Sequence, residues 1–268
     1  MSKEAVLVLG GSGHIGAAAI FAALNVGHRV LVPVRNQNSA AKLRRNLGAR
    51  AGEVVEVFEA DITTDLGLQS IIERVESGQL PQFQHVFASV GGDYTPLPLV
   101  EQTEEYFKAQ MQISVGVNVA AFRVFVPWLN AKVGADSSFT VCTEAQGELG
   151  LYPINAIHQG ALFSFSTAAA IESKDMPVRF NEVFLAFRVE VDADAAAHGV
   201  TRASDFALVY ETVFKRHQHE GRPSQRKRAR RHQGHQVGKK ILIVRGRRMI
   251  ALFRVDGRST VAWILHKV

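Results

Sequence analysis

The chain has 268 residues, 47% of them hydrophobic, and a mean hydropathy of +0.02. This length suits one α/β domain with a core of ordinary size, and the hydropathy is that expected of a soluble globular protein. No apolar run reaches the roughly 18–20 residues that a transmembrane helix needs, and the N-terminus runs directly into a strand, leaving no room for a signal peptide. A single cysteine, Cys142, excludes an internal disulfide and fits a reducing compartment. The sequence therefore predicts a cytoplasmic protein.

The net charge of +6 is concentrated in one segment near the C-terminus. Residues 215–248 contain thirteen basic residues and one acidic residue, so the remainder of the chain has a net charge of −6. The most basic run, residues 226–231, is typical of a solvated, disordered segment, of a nuclear localisation signal or of a phosphate-binding patch. The run offers no aromatic side chain for base stacking, so we do not expect nucleic acid as a partner.

Strand and helix patterns alternate along the first 217 residues. Short apolar runs predict strands at residues 4–10, 28–34, 54–60, 85–89, 138–143 and 178–187. Helical patterns cover residues 14–26, 39–48, 65–77, 101–130, 154–173 and 203–217. Pro33 predicts that the second strand frays or ends early, because proline cannot donate to a ladder.

This alternation predicts an α/β fold: a doubly wound, Rossmann-like parallel sheet with helices on both faces, in a single domain over residues 1–220. Residues 221–238 have no hydrophobic periodicity and predict a basic, disordered segment. Residues 239–244 and 247–255 predict strands, and the packing of residues 239–268 is left open. The abrupt change in composition at residue 221 is also what a change of reading frame late in the gene would produce.

The first predicted strand ends in a glycine-rich turn that leads directly into a helix. At such a turn the backbone bends sharply, lets a pyrophosphate approach and presents the free N–H groups of the helix N-terminus. A purely structural turn is the alternative, but the position after a buried first strand favours a dinucleotide site. The predicted binding residues of the turn are Gly10, Ser12, Gly13, His14, Ile15 and Gly16.

Residues after the next three strands complete the predicted cofactor site. Arg35 follows strand two without a carboxylate beside it, and an arginine there accommodates a ribose 2′-phosphate, so NADP(H) is favoured over NAD(H). A solvent-exposed loop arginine is the alternative. Asp61 and Ile62 follow strand three and could contact adenine, although Asp61 could also cap the next helix. Ser89 and Gly91 follow strand four, where small residues let the chain pass close to the adenine ribose.

Together these motifs resemble the short-chain dehydrogenase/reductase family over about residues 4–215. The segments 126–129 (Val-Pro-Trp-Leu) and 160–162 (Gly-Ala-Leu) are similar to that family as well. The resemblance implies NAD(P)(H)-dependent oxidation or reduction of a small-molecule substrate, and a homodimer or tetramer formed through the long helices 101–130 and 154–173. It also implies a catalytic tyrosine, a lysine four residues later that lowers the tyrosine pKa, a serine and an asparagine.

The positions that the resemblance assigns to these catalytic residues hold other side chains. Spacing from the family-like segments places the asparagine at Ser114, the serine at Cys142, the tyrosine at Asn155 and the lysine at Gln159. Asparagine has no usable pKa and glutamine carries no charge to shift a neighbour's pKa. No Tyr-x-x-x-Lys occurs anywhere in the chain. His158 could act as an acid or base, but it lies about 100° round the helix from the lysine position.

Three interpretations remain open. The first is an NADP(H)-dependent enzyme of divergent or redox-neutral chemistry, as in some relatives in secondary metabolism, with ordinary carbonyl reduction by other acid groups as a variant. The second is a non-catalytic nucleotide-binding or regulatory pseudoenzyme, and the third is a degenerate copy. No metal site is predicted. The candidate pocket residues are Ser114, Cys142, Asn155, His158 and Gln159, with Glu144 and Arg188 beside them.

Overall fold

The computed structural model describes residues 4–54, 56–215, 239–244, 249–254 and 261–265. Its parallel strands are β1 (Ala5–Leu9), β2 (Arg29–Val34), β3 (Glu56–Glu59), β4 (His85–Ala88), β5 (Ser138–Glu144) and β6 (Arg179–Leu185). They form one sheet in the order β3-β2-β1-β4-β5-β6, so the strand order reverses between β1 and β4. Open α/β sheets bind ligands at the carboxyl ends of the strands beside such a reversal. The predicted doubly wound, single-domain fold is confirmed.

Nine helices are described: α1 (His14–Asn25), α2 (Gln37–Leu47), α3 (Asp65–Glu76), α4 (Glu104–Met111), α5 (Val117–Lys132), α6 (Gln146–Leu149), α7 (Pro153–Glu172), α8 (Asp192–His198) and α9 (Ala203–Lys215). Alternation along the strands divides the core into two layers. On β1, Val6 and Val8 pack with α1, α2 and α9, whereas Ala5, Leu7 and Leu9 pack with α3, α5 and α7. Both faces of the sheet are therefore covered.

Pro33 lies inside β2, which continues to Val34, so the expectation that this strand ends early is wrong. The strand pairs with β1 only as far as Leu31, and beyond that point it pairs with β3, where Phe58 stands opposite Pro33. Because only one side of the strand is still paired there, the missing amide proton does not interrupt the sheet.

The long helical pattern at residues 101–130 is a continuous helix, Glu104–Lys132, in which a π-helical turn (Gln112–Gly116) joins α4 to α5. By length and composition this helix is apolar enough to cross a membrane, contrary to the expectation that no run reaches that length. Half of the most apolar 18-residue stretch of this helix is buried inside the fold, and Phe125 and Leu129 are fully buried. Packing of this kind is usual for a core helix of a globular domain.

The remaining strands lie at the C-terminal side of the fold. β7 (Val189–Glu190) and β8 (Thr201–Arg202) form a separate small sheet. β9 (Lys239–Val244), β10 (Met249–Arg254) and β11 (Val261–Leu265) extend the main sheet from β6 in antiparallel fashion. The first two coincide with strands expected from the sequence, and β11 was not expected. The basic segment 221–238 lies outside the described residues.

Candidate active site

The glycine turn joins β1 to α1 at the carboxyl edge of the sheet. Gly10 has a φ of +81°, which favours glycine, and a Cβ there would lie 2.1 Å from the carbonyl oxygen of Ser89. A Cβ on Gly16 would lie 2.2 Å from the carbonyl oxygen of Gly10. The N–H of Gly13 donates to the same carbonyl at 2.9 Å. Two of the glycines are therefore required by the backbone geometry of the turn itself.

The N-terminus of α1 is open to an anion. Its N-cap is Gly13, which has no side chain to cap the N–H groups of the first turn, and that turn contains no acidic residue. Free N–H groups and the positive end of the helix dipole favour a negatively charged group. The imidazole Nδ1 of His14 accepts a hydrogen bond from the Val191 N–H at 3.0 Å, which ties the turn to the segment after β7. The turn thus offers the space, the donors and the charge that a pyrophosphate requires.

Ser12 and Ile15 anchor the same turn to its surroundings. The carbonyl of Ser12 accepts a hydrogen bond from the Asn46 side chain of α2 at 2.9 Å. Ile15 is half-buried and packs against the core layer under α1. These contacts hold the turn in place from both sides.

Arg35 and Asp61 lie at the exposed end of the site, where β2 and β3 end. The pKa of Asp61 is lowered mainly by hydrogen bonds from Thr63 and further by the positive charge of Arg35. Ile62 is half-buried against the core. Asp61 does not cap the next helix, because the N-cap of α3 is Thr64.

The turn after β4 packs closely on the π-helical turn. Gly91 has a φ of +105°, and a Cβ there would lie 2.3 Å from the Ser114 hydroxyl. The N–H of Gly92 donates to that hydroxyl at 3.4 Å. Asn118, one helical turn later, donates its side-chain amide to the carbonyl of Val90 at 2.9 Å. Ser114 and Asn118 therefore position the backbone of this turn.

A cleft of about 710 Å³ opens between the glycine turn, the turn after β4 and the segments that follow β5 and β6. The predicted cofactor residues that line it are Gly13, His14, Ile15, Gly16, Ser89 and Gly91. The other five lie outside its lining, namely Gly10, Ser12, Arg35, Asp61 and Ile62. The ionisable side chains of its remaining wall are Lys42, Tyr94, Glu144, Tyr152, Arg188 and Glu190.

The five candidate pocket residues are all buried, at most 6% exposed, and none lines the cleft: Ser114, Cys142, Asn155, His158 and Gln159. The side chain of Gln159 accepts a hydrogen bond from the Glu144 N–H at 2.8 Å and so holds the end of β5. Burial lowers the pKa of His158, and burial raises the pKa of the Cys142 thiol. Neutral forms of both side chains are therefore favoured.

Tyr94 and Glu144 form a hydrogen-bonded pair on the wall of the cleft, with the tyrosine hydroxyl donating to Oε2 of the glutamate. Burial raises the pKa of the Glu144 carboxyl, and the nearby Tyr94 hydroxyl and Asn155 amide partly oppose this rise. The Tyr152 ring packs edge-on against the Tyr94 ring, with centroids 5.3 Å apart. Tyr94 is thus held by its hydrogen bond to Glu144 and by its ring contact with Tyr152.

Among the residues that the structure describes, one group of potential metal ligands lies at the opposite, amino end of the strands. The donor atoms of Glu4, His28 and His85 lie within 4.8 Å of one another. Both imidazole Nε2 atoms lie 3.4–3.5 Å from Oε2 of Glu4, as in an ion-pair cluster. This group is separate from the cleft, and the expectation that the chain has no metal site stays a prediction.

No family model matches the chain. The chain is 42% identical over 223 residues to the short-chain dehydrogenase/reductase iacG of Pestalotiopsis fici, a match that covers 81% of this chain and 89% of that protein. The chain belongs to the short-chain dehydrogenase/reductase family.

Solved structures of short-chain dehydrogenases share the fold at low sequence identity. A short-chain dehydrogenase from Shigella flexneri, complexed with NADP, superimposes with a TM-score of 0.66 at 19% identity and covers 80% of this chain and 92% of its own. A short-chain oxidoreductase from Pseudomonas aeruginosa, an apo structure described as containing an atypical catalytic center, has a TM-score of 0.64 at 16% identity, with 77% and 88% covered.

Sequence reasoning did not single out several side chains that line the cleft of this short-chain dehydrogenase/reductase. Tyr94 follows the glycine pair after β4 by two residues, and a phenol directly after a ligand-facing turn was an available signal. Lys42 enters the cleft from α2, and no local pattern indicates this. Glu190 forms ion pairs with Arg188, two residues before it, and with His198 of α8, and no local pattern places Glu190 in the cleft.

Proposed function

We propose that this short-chain dehydrogenase/reductase binds NADP(H) with the pyrophosphate at the glycine turn and acts on a small organic molecule in the adjoining cleft. The main support for this proposal is the uncapped N-terminus of α1. The turn that leads into it is so close-packed that a Cβ at Gly10 or Gly16 would clash. The NADP that accompanies the Shigella flexneri protein supports it, because that protein has the same fold.

Arg35 supports NADP(H) over NAD(H). Its side chain is exposed at the carboxyl end of β2, where Asn36 and Gln37 follow instead of a carboxylate. A guanidinium at this place can pair bidentately with a ribose 2′-phosphate, whereas an acidic residue would bind the free 2′-hydroxyl. Asp61, close enough to Arg35 to interact with its charge, is the candidate acceptor for the adenine amino group.

The proposed reaction does not use the tyrosine and lysine that are usual in the family. The tyrosine position corresponds to Asn155, which is buried without a hydrogen-bond partner of good geometry among the described residues. The lysine position corresponds to Gln159, whose side-chain oxygen accepts a hydrogen bond from the Glu144 N–H. Neither side chain can donate a proton near neutral pH. Bound NADPH would supply a hydride in a divergent reduction, whereas a redox-neutral reaction would leave the nucleotide unchanged. In both cases the chain would orient the substrate in a shielded cleft. The atypical catalytic center described for the Pseudomonas aeruginosa oxidoreductase is compatible with such divergence on this fold.

A second candidate is NADPH-dependent carbonyl reduction with a different proton donor. It is favoured by the presence of ionisable groups on the wall of the cleft, Tyr94 and Glu144 in particular. Positioned acids typically accelerate such reactions by about 10²–10⁴-fold, so a replacement donor would suffice for turnover.

Fluorescence titration with NADPH and NADH tests the nucleotide site. We expect Arg35→Ser to raise the Kd for NADPH by about tenfold or more, because a charge-assisted hydrogen bond to phosphate is lost, and to leave the Kd for NADH nearly unchanged. Arg45→Ser is the matched control, since Arg45 is an exposed arginine of α2 outside the cleft. Failure of the wild-type chain to bind either nucleotide would contradict the proposal.

Incubation with NADPH and a panel of aldehydes and ketones then separates the two candidates. Oxidation of NADPH with any member of the panel would favour carbonyl reduction. Binding without oxidation would favour the redox-neutral reaction or a regulatory role.

A further inference from the structure

Two ionisable side chains on the wall of the cleft, Tyr94 and Glu144, form a hydrogen-bonded pair. Glu144 is the last residue of β5, and Tyr94 lies in the segment after β4, so both come from carboxyl ends of adjacent parallel strands. Both side chains line the same cleft as Gly13 and Gly16. Tyr94 is 49% exposed and Glu144 is half-buried, so a ligand in the cleft can reach either.

We propose that Glu144 is the proton donor of the cleft and that Tyr94 positions it. This inference rests on the second candidate of the proposed function, NADPH-dependent carbonyl reduction, because the cleft must hold a carbonyl substrate beside the nucleotide site. Glu144 takes over a task for which neither Asn155 nor Gln159 is chemically suited.

The hydrogen-bond direction defines the two roles. The Tyr94 hydroxyl donates to Oε2 of Glu144, which leaves Oε1 to carry the acidic proton. When the substrate oxygen gains negative charge, the O–H bond at Oε1 breaks and a new O–H bond forms on the substrate. The resulting carboxylate keeps the hydrogen bond from Tyr94, which stabilises it, and then regains a proton from water at the mouth of the cleft. The two electrons and the hydrogen that the carbonyl carbon gains would come as the hydride of bound NADPH, so that charge, protons and electrons balance.

The surroundings of Glu144 favour its protonated form. Among the described residues, the titratable groups whose interaction with it is resolved are Tyr94, Cys142 of β5 and Tyr210 of α9, and the same cleft is also lined by Lys42, Arg188 and Glu190. The first three are neutral acids near pH 7, and burial raises the pKa of each, so none of these three offers a positive charge to the carboxylate. An acid with a raised pKa is what general acid catalysis near neutrality requires.

Neighbouring side chains keep the pair in one geometry. Gln159 accepts the Glu144 N–H at 2.8 Å and fixes the backbone that carries the carboxyl group. The Tyr152 ring packs edge-on against the Tyr94 ring, with centroids 5.3 Å apart. Preorganised groups of this kind lose little entropy when a substrate binds.

The chain offers matched controls for both residues. Glu148 is an exposed glutamate four residues after Glu144 that does not line the cleft. Tyr106 donates its hydroxyl to the Asp93 carboxylate at 2.7 Å, another tyrosine–carboxylate pair but outside the cleft. The test variants are therefore Glu144→Gln and Tyr94→Phe, and the controls are Glu148→Gln and Tyr106→Phe.

Infrared difference spectra of the full chain against Glu144→Gln provide a readout that needs no turnover. We expect a protonated-carboxyl band that titrates above the ordinary value of 4.5. In Tyr94→Phe this band should titrate at still higher pH, because the hydrogen bond that stabilises the carboxylate is gone, whereas Tyr106→Phe should leave it unchanged. A Glu144 carboxyl that titrates at or below the ordinary value would overturn the proposal.

Turnover of NADPH with the aldehyde and ketone panel tests the acid role itself. We expect Glu144→Gln to lower kcat by about a hundredfold or more and Tyr94→Phe to lower it less while moving the pH profile upward. Glu148→Gln should match the wild type. Equal kcat in Glu144→Gln, or no wild-type turnover with any member of the panel, would overturn the acid role. Loss of NADPH binding by the wild type would instead overturn the proposed function.

Discussion

Asn155 and His158 are fully buried on α7, and neither side chain makes a well-formed hydrogen bond to any residue that the structure describes. Burying a polar atom without a partner costs about 1–3 kcal/mol, and this applies to the ring nitrogens of His158, whereas the Asn155 amide interacts with Tyr94 and Glu144. The His158 imidazole interacts with the charge of Asp93, the neighbour of Tyr94. Buried polar groups that oppose stability are characteristic of functional regions. The buried polar residues of α7 therefore indicate the same functional region as the cleft.

The buried imidazole of His158 makes stability depend on pH. Burial lowers its pKa below 6.5 in the folded chain. The unfolded chain then binds more protons than the folded one as the pH falls below 6.5, so stability decreases, by at most about 1.4 kcal/mol per pH unit for this group. We expect His158→Gln to be less sensitive to acid than the wild type in urea denaturation between pH 7.5 and 5.5.

Between pH 7.5 and 8.5 the stabilities of the wild type and of His158→Gln should change in parallel, because His158 is neutral in both the folded and the unfolded chain. Identical slopes of stability below pH 6.5 would mean that the imidazole is not held neutral by burial.

The packing of α9 on α1 is the element-scale feature that supports the nucleotide site. α1 carries the glycine turn on its N-terminus, and α9 covers it with Phe206 and Tyr210, both fully buried. The two rings pack edge to face with centroids 5.1 Å apart, and Tyr210 packs in turn on Phe87 of β4 at 4.7 Å. The position of the turn therefore depends on a helix that is distant in sequence.

Phe206→Ala tests this support. We expect a loss of about 3–5 kcal/mol in the free energy of unfolding, because a large buried ring is replaced by a cavity. Leu208→Ala, at a position 45% exposed on the same helix, should change stability by about 0.5 kcal/mol or less. Urea denaturation measures the free energy of unfolding of both variants. Similar losses in the two variants would contradict the packing described for α9.

At the scale of the whole molecule, apolar side chains are exposed along the two long helices that the family resemblance assigned to subunit contacts. Phe107 on α4, Val119 on α5 and Ile157 on α7 are 37–39% exposed. Exposed apolar residues grouped on helical surfaces are typical of contacts between subunits. We therefore predict a homo-oligomer formed through these helices.

Size-exclusion chromatography with light scattering measures this directly. We expect an oligomer for the wild type and a shift toward the monomer for Val119→Glu, since a buried unpaired charge at an interface is costly. Leu66→Glu is the matched control, because Leu66 on α3 is 78% exposed and lies on another helix. A monomeric wild type would show that these helices are not an interface.

The strand–helix alternation, the glycine turn and the residues after the first strands could all be predicted from the sequence, because hydrophobic periodicity and the φ of +81° at Gly10 are local properties, even though the close approach of Gly10 to the Ser89 carbonyl is not. Hydrophobic periodicity indicates strands and helices, and a turn that needs glycine at positions 10 and 16 is visible as glycine. Pro33 shows the limit of this reasoning: its effect depended on which neighbours β2 still has at that point.

What only the tertiary structure decided is which side chains meet. Tyr94 and Glu144 are 50 residues apart, and His14 and Val191 are 177 apart. Parallel strands gather their carboxyl ends at one edge of the sheet, so distant residues become neighbours there without any local signal. The same packing buries Asn155 and Gln159 and leaves Glu144 on the wall of the cleft, because exposure depends on how α7 lies against β5 and not on the order of residues along either element.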